Sequence, residues 1–121
     1  MDRTQIIDYQ GRKMFFIDFS NLKTIEEINE LIQIAKKYIH SQPSKSVYTL
    51  TSVEGTHFNN DITKIFTDYV KSNSPYVKTS AVTGISGLKL ILYNSMMKLT
   101  GRDTRSFSTL EQAKNWLAAQ N

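Results

Sequence analysis

The chain has 121 residues, of which 40% are apolar and 21% charged, and these proportions fit one compact domain rather than two. The absence of cysteine excludes disulfides and thiolate chemistry, and no apolar run approaches the roughly 18 residues of a membrane-spanning helix. The net charge is +4, but the basic residues are dispersed singly, unlike those of a nucleic-acid-binding surface. Because the N-terminus also lacks a signal-peptide pattern, we expect a single cytoplasmic domain over residues 1–121 that neither binds nucleic acid nor inserts stably into a membrane.

Two extended segments open the chain, at residues 5–9 and 13–19, on either side of Gln10-Gly11-Arg12. Gly11 can supply the positive φ that a tight reversal requires. The second segment is rich in aromatic and branched residues and is apolar on both faces, which is typical of an interior strand. The sequence therefore predicts an opening β-hairpin.

A first helix is predicted from Ile25 to His40. Thr24 and Glu27 have the spacing of a capping box, in which hydroxyl and carboxylate each satisfy a free backbone N–H group. Pro43 prevents the helix from continuing. Apolar residues recur on one face at the helical period, and we expect this face to enter the core: Ile25, Ile28, Leu31, Ile32, Ala35 and Ile39.

Strands and helices then alternate to the end of the chain. The predicted elements are a strand at Val47–Val53, a helix at Asp61–Ser72, a strand at Tyr76–Thr83, a helix from after Gly87 to about Leu99, a strand at Thr104–Phe107 and a final helix. Gly101 is expected to end the third helix in a left-handed conformation, and Ser108 with Glu111 has the spacing of a second capping box. The order β-β-α-β-α-β-α-β-α predicts an α/β fold with a mostly parallel sheet, an antiparallel edge and covering helices.

One loop, after the third predicted strand, combines residues suited to acid–base chemistry. Glu54, His57 and Asp61 could support a metal or a general base, but no fourth ligand has suitable spacing. A polar loop with a helix-capping aspartate is the simpler interpretation. Ser86 superficially matches a nucleophile elbow, but Leu88 occupies the position that requires glycine. We therefore expect no catalytic residue, no metal and no cofactor.

The turn before the third helix has two glycines at a strand–helix junction. Free N–H groups there can hold an anion, and Lys89 lies within reach, which suggests a small ligand site at Gly84, Ser86, Gly87 and Lys89. The same glycines are also explained by the positive φ that tight turns require, and this is the simpler interpretation.

The third helix carries two apolar stripes where a surface helix needs one. The first is expected to face the core and consists of Leu88, Leu92, Met96 and Leu99. The second lies about 130° away around the helix and consists of Leu90, Tyr93 and Met97. It indicates a protein interface, with a symmetric homodimer as the commonest form, or the wall of an apolar pocket. The alternative is burial between the sheet and the fourth helix, with Trp116 covering the stripe.

The element order resembles that of the STAS domain, the fold of bacterial anti-sigma-factor antagonists. Three stretches are also similar to a STAS-like family of small bacterial proteins, related in fold to lipid-binding CRAL-TRIO domains: AVTGISGL at 81–88, TGRDTRSF at 100–107 and LEQAKNWL at 110–117. The resemblance implies a non-catalytic binding or regulatory module that contacts another protein or a second copy of itself. The lipid-binding relatives imply an alternative, a carrier of a small apolar or anionic ligand.

The chain departs from this family at the phosphorylation site. Phosphorylatable STAS proteins carry Asp-Ser-Ser-Gly-Leu after the third strand, whereas this chain has Glu54-Gly55-Thr56-His57-Phe58. The target serine is absent, so a kinase-controlled switch is not expected. Thr56 is the nearest hydroxyl and is expected on a surface loop, where Thr56→Asp would change stability by no more than about 0.5 kcal/mol.

Overall fold

The computed structural model describes residues 2–100 and 104–120, without the side chains of Leu88, Leu99 and Thr100. The elements are β1 (Thr4–Tyr9), β2 (Arg12–Asp18), α1 (Ile25–Ile39), β3 (Val47–Ser52), α2 (Asn60–Asn73), β4 (Val77–Thr83), α3 (Leu88–Thr100), β5 (Arg105–Phe107) and α4 (Leu110–Ala118). This order confirms the predicted α/β fold. The predicted left-handed cap at Gly101 lies outside the described residues.

The strands form one mixed sheet in the order β1-β2-β3-β4-β5, with β1 antiparallel to β2 and the remaining pairs parallel. Each parallel crossover joins neighbouring strands, and right-handed crossovers in one direction put their helices on the same side of a sheet. Accordingly α1, α2 and α3 pack on one side, here called the three-helix face, around a large apolar core. On the other side, here called the α4 face, α4 packs over a smaller core.

The hairpin between β1 and β2 turns through two residues, as predicted. Gln10 and Gly11 both have positive φ, at 51° and 79°, and Tyr9 pairs with Arg12 across the turn. Positive φ at both central residues matches the twist of paired strands. The Tyr9 hydroxyl donates to Asn115 Oδ1 at 2.7 Å, which attaches α4 to this hairpin.

The predicted capping box of α1 is present. Glu27 N donates to Thr24 Oγ1 at 3.2 Å, and Thr24 N donates to Glu27 Oε1 at 3.3 Å. The N–H of Lys23 also hydrogen-bonds this carboxylate and, with the Thr24 groups, holds the pKa of Glu27 below its ordinary value of 4.5. Local sequence alone therefore determines where α1 begins.

The predicted cap of α4 is wrong by one residue. Thr109, in extended backbone, caps the helix and accepts a hydrogen bond from Gln112 N at 3.1 Å. Ser108 N instead donates to Gln112 Oε1 at 3.3 Å. Thr109 and Gln112 have the same spacing as Ser108 and Glu111, so the sequence allowed both registers, and the observed helix starts at the later one.

The position of α4 tests the interpretation in which α4 covers the second apolar stripe of α3. Trp116 packs beside Phe107 on the α4 face, with ring centroids 5.5 Å apart. Tyr93 and Met97 pack on the opposite side of the sheet, against the core of the three-helix face. The interpretation in which α4 and Trp116 bury this stripe is therefore wrong.

Candidate functional site

An open-sided cavity of about 90 Å³ lies on the three-helix face, between the sheet, α2 and α3. Within the part of the chain that the structure describes, none of its lining side chains is charged. The wall is mostly aliphatic and aromatic, with hydroxyl and amide groups interspersed. The lining residues are Ile17, Phe19, Thr49, Thr51, Val53, Phe58, Phe66, Tyr69, Val70, Asn73, Val77, Ser80, Val82, Ile85, Tyr93, Met96, Met97 and Thr104.

The floor of the cavity carries hydroxyl groups where a core would carry longer apolar side chains. Thr49 lies opposite Ser80 and Thr51 opposite Val82 in the β3–β4 register. Thr49 and Ser80 are buried, and Thr49 Oγ1 donates to Ser80 Oγ at 2.6 Å. Such short side chains leave space beneath α2. Sequence reasoning missed them, although threonine at two alternate positions of one predicted strand was a visible signal.

A further polar group, also missed, lies at the end of the cavity near the start of β4. Asn73 is in the last turn of α2, four residues before the first residue of β4, and is only 4% exposed. His40 Nε2–H donates to Asn73 Oδ1 at 3.0 Å. Asn73 is therefore a buried, hydrogen-bonded amide side chain in the lining of the cavity.

The opposite end of the cavity, near the carboxyl ends of the strands, is aromatic. Phe58 stacks on Phe66 with ring centroids 5.3 Å apart, and Phe19 meets Phe66 edge-on at 4.9 Å. Phe19 and Phe66 belong to the core of the three-helix face, and Phe58 packs against it. The cavity is therefore polar at one end and apolar at the other.

The three residues of α3 that the sequence predicted as an interface differ in their surroundings. Met96 is buried, in agreement with the predicted core stripe, and lines the cavity. Tyr93 and Met97 are half-buried and line it as well. Leu90 does not line the cavity and is 46% exposed, next to Ile91 at 64%. Two of the three residues therefore form a pocket wall and one lies on the surface; the homodimer stays a prediction.

The predicted anion site lies in the turn between β4 and α3. Gly84 and Gly87 have positive φ, at 93° and 57°, and Ser86 and Gly87 are exposed. Lys89 Nζ donates to the carbonyls of Val53 at 2.9 Å and Gly84 at 3.4 Å, so the ammonium joins two loops. Burial lowers the pKa of this amine. Anion binding by the turn stays a prediction.

The loop after β3 differs from its prediction. Among the described residues no three His, Asp or Glu side chains form a group that could hold a metal ion, and this includes Glu54, His57 and Asp61. The expectation that Thr56 lies on the surface is wrong. It is 3% exposed, and its hydroxyl donates to the Phe19 carbonyl at 2.8 Å, because the loop folds back onto the end of β2.

Two further observations bear on function. Within residues 2–100 and 104–120, no helix combines the length and the apolar character needed to cross a membrane. The chain was also compared with protein-family models, with curated proteins and with solved structures, and none of them matched. The resemblance to STAS-like proteins therefore stays a prediction from the residues quoted above.

Proposed function

We propose that this protein is a non-catalytic binding domain that holds a small apolar molecule between the sheet, α2 and α3. The observation that carries the proposal is the cavity itself. Protein interiors are close-packed, with few voids larger than a water molecule, yet here about 90 Å³ is open inside an apolar wall. A concave, mostly apolar site with a few polar groups is the usual form of a small-molecule site.

The size and the walls of the cavity support a small ligand that enters past α3. An apolar cavity of about 150 Å³ accommodates benzene, so about 90 Å³ suits a few carbon atoms with the rest of the ligand projecting outward. The sheet and α2 contribute mostly buried residues to the lining. In contrast, four residues on α3 and in the loops after β3 and β4 are half-buried: Phe58, Ile85, Tyr93 and Met97.

The proposal includes binding without catalysis and without a phosphorylation switch. The described lining has no carboxylate, imidazole or amine, the groups that serve most often in general acid–base catalysis. Thr56, the nearest equivalent of the STAS phosphoserine, is buried and hydrogen-bonded, which supports the absence of a switch. A cytoplasmic location remains part of the proposal.

A blocking variant tests this function. Val70 is half-buried on α2 and lines the cavity, so Val70→Phe should put a phenyl ring into the ligand space. Methylenecyclopentane at ten times its dissociation constant should stabilise the wild type by about 1.4 kcal/mol, which raises the melting temperature by about 5 °C. The variant should lose this shift, whereas Ile34→Phe on the exposed side of α1 should keep it. No shift in the wild type, or an equal shift in Val70→Phe, would contradict the proposal.

A second candidate function is protein contact through the outer surface of α3, with a second copy of the chain as the partner. The observation that favours it is the exposure of Leu90 and Ile91, at 46% and 64%, on adjacent positions of one helix. Apolar surface of this kind is often used in symmetric contacts. The double change Leu90→Glu and Ile91→Glu should convert a dimer to a folded monomer in sedimentation, and Ile34→Glu, at an exposed apolar position on α1, should not. A monomeric wild type would exclude this candidate.

A further inference from the structure

We infer that the free edge of β1 binds an extended segment of a partner protein, which adds a further strand to the sheet. The segment runs antiparallel to β1 and carries a branched apolar side chain, with a basic side chain two residues before it and another two residues after it. Three features of this edge, separate from the cavity, support the assignment: unused backbone groups, an exposed isoleucine and the negative charge of a neighbouring groove.

The backbone of β1 offers a row of unused hydrogen-bonding groups. β1 lies at the edge of the sheet, with β2 as its neighbour. Asp18 N donates to the Arg3 carbonyl at 2.8 Å, so these two residues form a hydrogen-bonded pair. Because such pairs alternate along antiparallel strands, the N–H and C=O groups of Thr4, Ile6 and Asp8 point away from β2. Among the described residues no strand or loop pairs with them on that side.

This edge also lacks the usual protection against pairing. Exposed edges are commonly shielded by brevity, proline, a bulge or inward-pointing charge. β1 has six residues, contains no proline and pairs with β2 without a bulge. At its centre Ile6 is 55% exposed on the three-helix face, opposite Phe15 of β2. These properties suit strand addition, in which main-chain hydrogen bonds give affinity and alternate side chains give specificity.

A groove of about 340 Å³ lies between the start of β1 and α1 and carries negative charge. Its lining contains three carboxylates and one guanidinium. The guanidinium is already engaged, because Arg3 Nη1 donates to the carbonyls of Asp18 at 3.0 Å and Ser20 at 2.8 Å. The groove therefore favours basic side chains. The lining residues are Asp2, Arg3, Thr4, Leu22, Glu27, Glu30, Leu31 and Ile34.

The side chains of β1 fix the pattern of the segment, because directly opposite residues of antiparallel strands share one face of the sheet. The residue opposite Ile6 is apolar and covers it. The residue opposite Thr4 is basic, since Glu30 lines the groove there. The residue opposite Asp8 is also basic, although Lys13 of β2 pairs with Asp8 as well. A second copy of β1 centred on Ile6 would put its Asp8 opposite Thr4 at the acidic groove, so charge favours a basic segment over self-pairing.

The peptide acetyl-Thr-Lys-Thr-Val-Thr-Lys-Thr-amide tests the inference by NMR titration. Binding should slow the hydrogen exchange of the Thr4, Ile6 and Asp8 amides and shift their resonances, because these N–H groups become hydrogen-bonded. The amides of Gln5 and Ile7 already point toward β2 and should change less. Methylation of the valine nitrogen removes a bond to Ile6 and should weaken binding at least about fivefold. Methylation of the following threonine nitrogen, which points away from β1, should leave the affinity unchanged.

Two charge reversals on α1 test the preference for basic side chains. Glu30 and Glu26 are both exposed, but only Glu30 lines the groove. The two variants change the net charge of the protein equally. Glu30→Lys should therefore lower the affinity for the peptide about fivefold more than Glu26→Lys does.

Each part of the inference has an outcome that overturns it. Absence of binding at millimolar peptide, equal changes at all β1 amides, or equal binding of the two methylated peptides would exclude strand addition. Equal effects of the two charge reversals would exclude the basic class of segment. A dimer of the free protein in which the outward amides of β1 are already protected would mean that a second copy occupies the edge. The proposed function depends on other probes and stands in every case.

Discussion

Gly84 is a position where a single added methyl group should disturb the turn that leads into the α3 wall of the cavity. It lies in the turn between β4 and α3 with φ at 93°, a backbone conformation that residues with a Cβ rarely adopt. A Cβ there would lie 2.5 Å from Glu54 N and 2.8 Å from the carbonyl carbon of Val53. Both are backbone atoms, so no side-chain rotation can relieve the overlap. Gly84→Ala should therefore force the β4–α3 turn away from the loop after β3.

The loss of folding stability expected for Gly84→Ala is the sum of two costs. The left-handed conformation costs an alanine about 1 kcal/mol, and overpacking against fixed atoms adds about 2 kcal/mol. Gly87, three residues later, provides a matched control. Its φ is 57°, and a Cβ there would meet no atom within 4 Å, so Gly87→Ala should cost only the conformational part.

Thermal and urea unfolding of the two variants measure this difference. Gly84→Ala should lower the melting temperature by about 12 °C and Gly87→Ala by about 4 °C, at about 4 °C per kcal/mol for a domain of this size. Because α3 begins beyond this turn, Gly84→Ala should also weaken methylenecyclopentane binding. Equal losses of stability in the two variants would refute the close approach of the two loops.

Three further predictions test local features. Thr56→Asp should lower the free energy of unfolding by about 3 kcal/mol, because the new carboxylate would be buried beside the Phe19 carbonyl; a denaturation midpoint equal to the wild type would contradict this. Glu27 has a lowered pKa, so its capping contribution is complete above pH 4.5 and is lost as the pH falls through the folded-state pKa. Glu27→Gln should consequently cost stability at pH 7 and less at pH 3, and equal losses would exclude this linkage. Thr109→Ala should cost about 1 kcal/mol in urea unfolding and Ser108→Ala less than half of that; the reverse order would mean that α4 begins at Ser108.

The parts of the fold that sequence predicted depend on neighbours in the chain. Ile28, Ile32 and Ile39 recur at helical spacing, and all three are buried. Thr24 and Glu27 are three residues apart and make both capping bonds. Such features follow from local geometry, so no knowledge of distant segments is needed.

The cavity could not be predicted because it depends on how far α3 lies from the sheet. Helical periodicity gave the angle between the two apolar stripes of α3. It did not give the distance between α3 and the sheet beneath it. Tyr93 and Met97 therefore fitted an interface or a pocket wall equally well. Likewise, alternation along β3 puts Thr49 and Thr51 on one face, but only the assembled sheet shows that this face lies under α2 and α3.

The central claim is that a small apolar molecule binds between the sheet, α2 and α3, and methyl NMR of methionine-labelled protein tests it most directly. Met96 and Met97 line the cavity, while Met14 is fully buried in the core of the α4 face and serves as an internal control. Titration with methylenecyclopentane should shift the methyl resonances of Met96 and Met97 in a saturable manner and leave Met14 unchanged. The absence of a saturable shift at both cavity methionines, or an equal shift at Met14, would contradict the account.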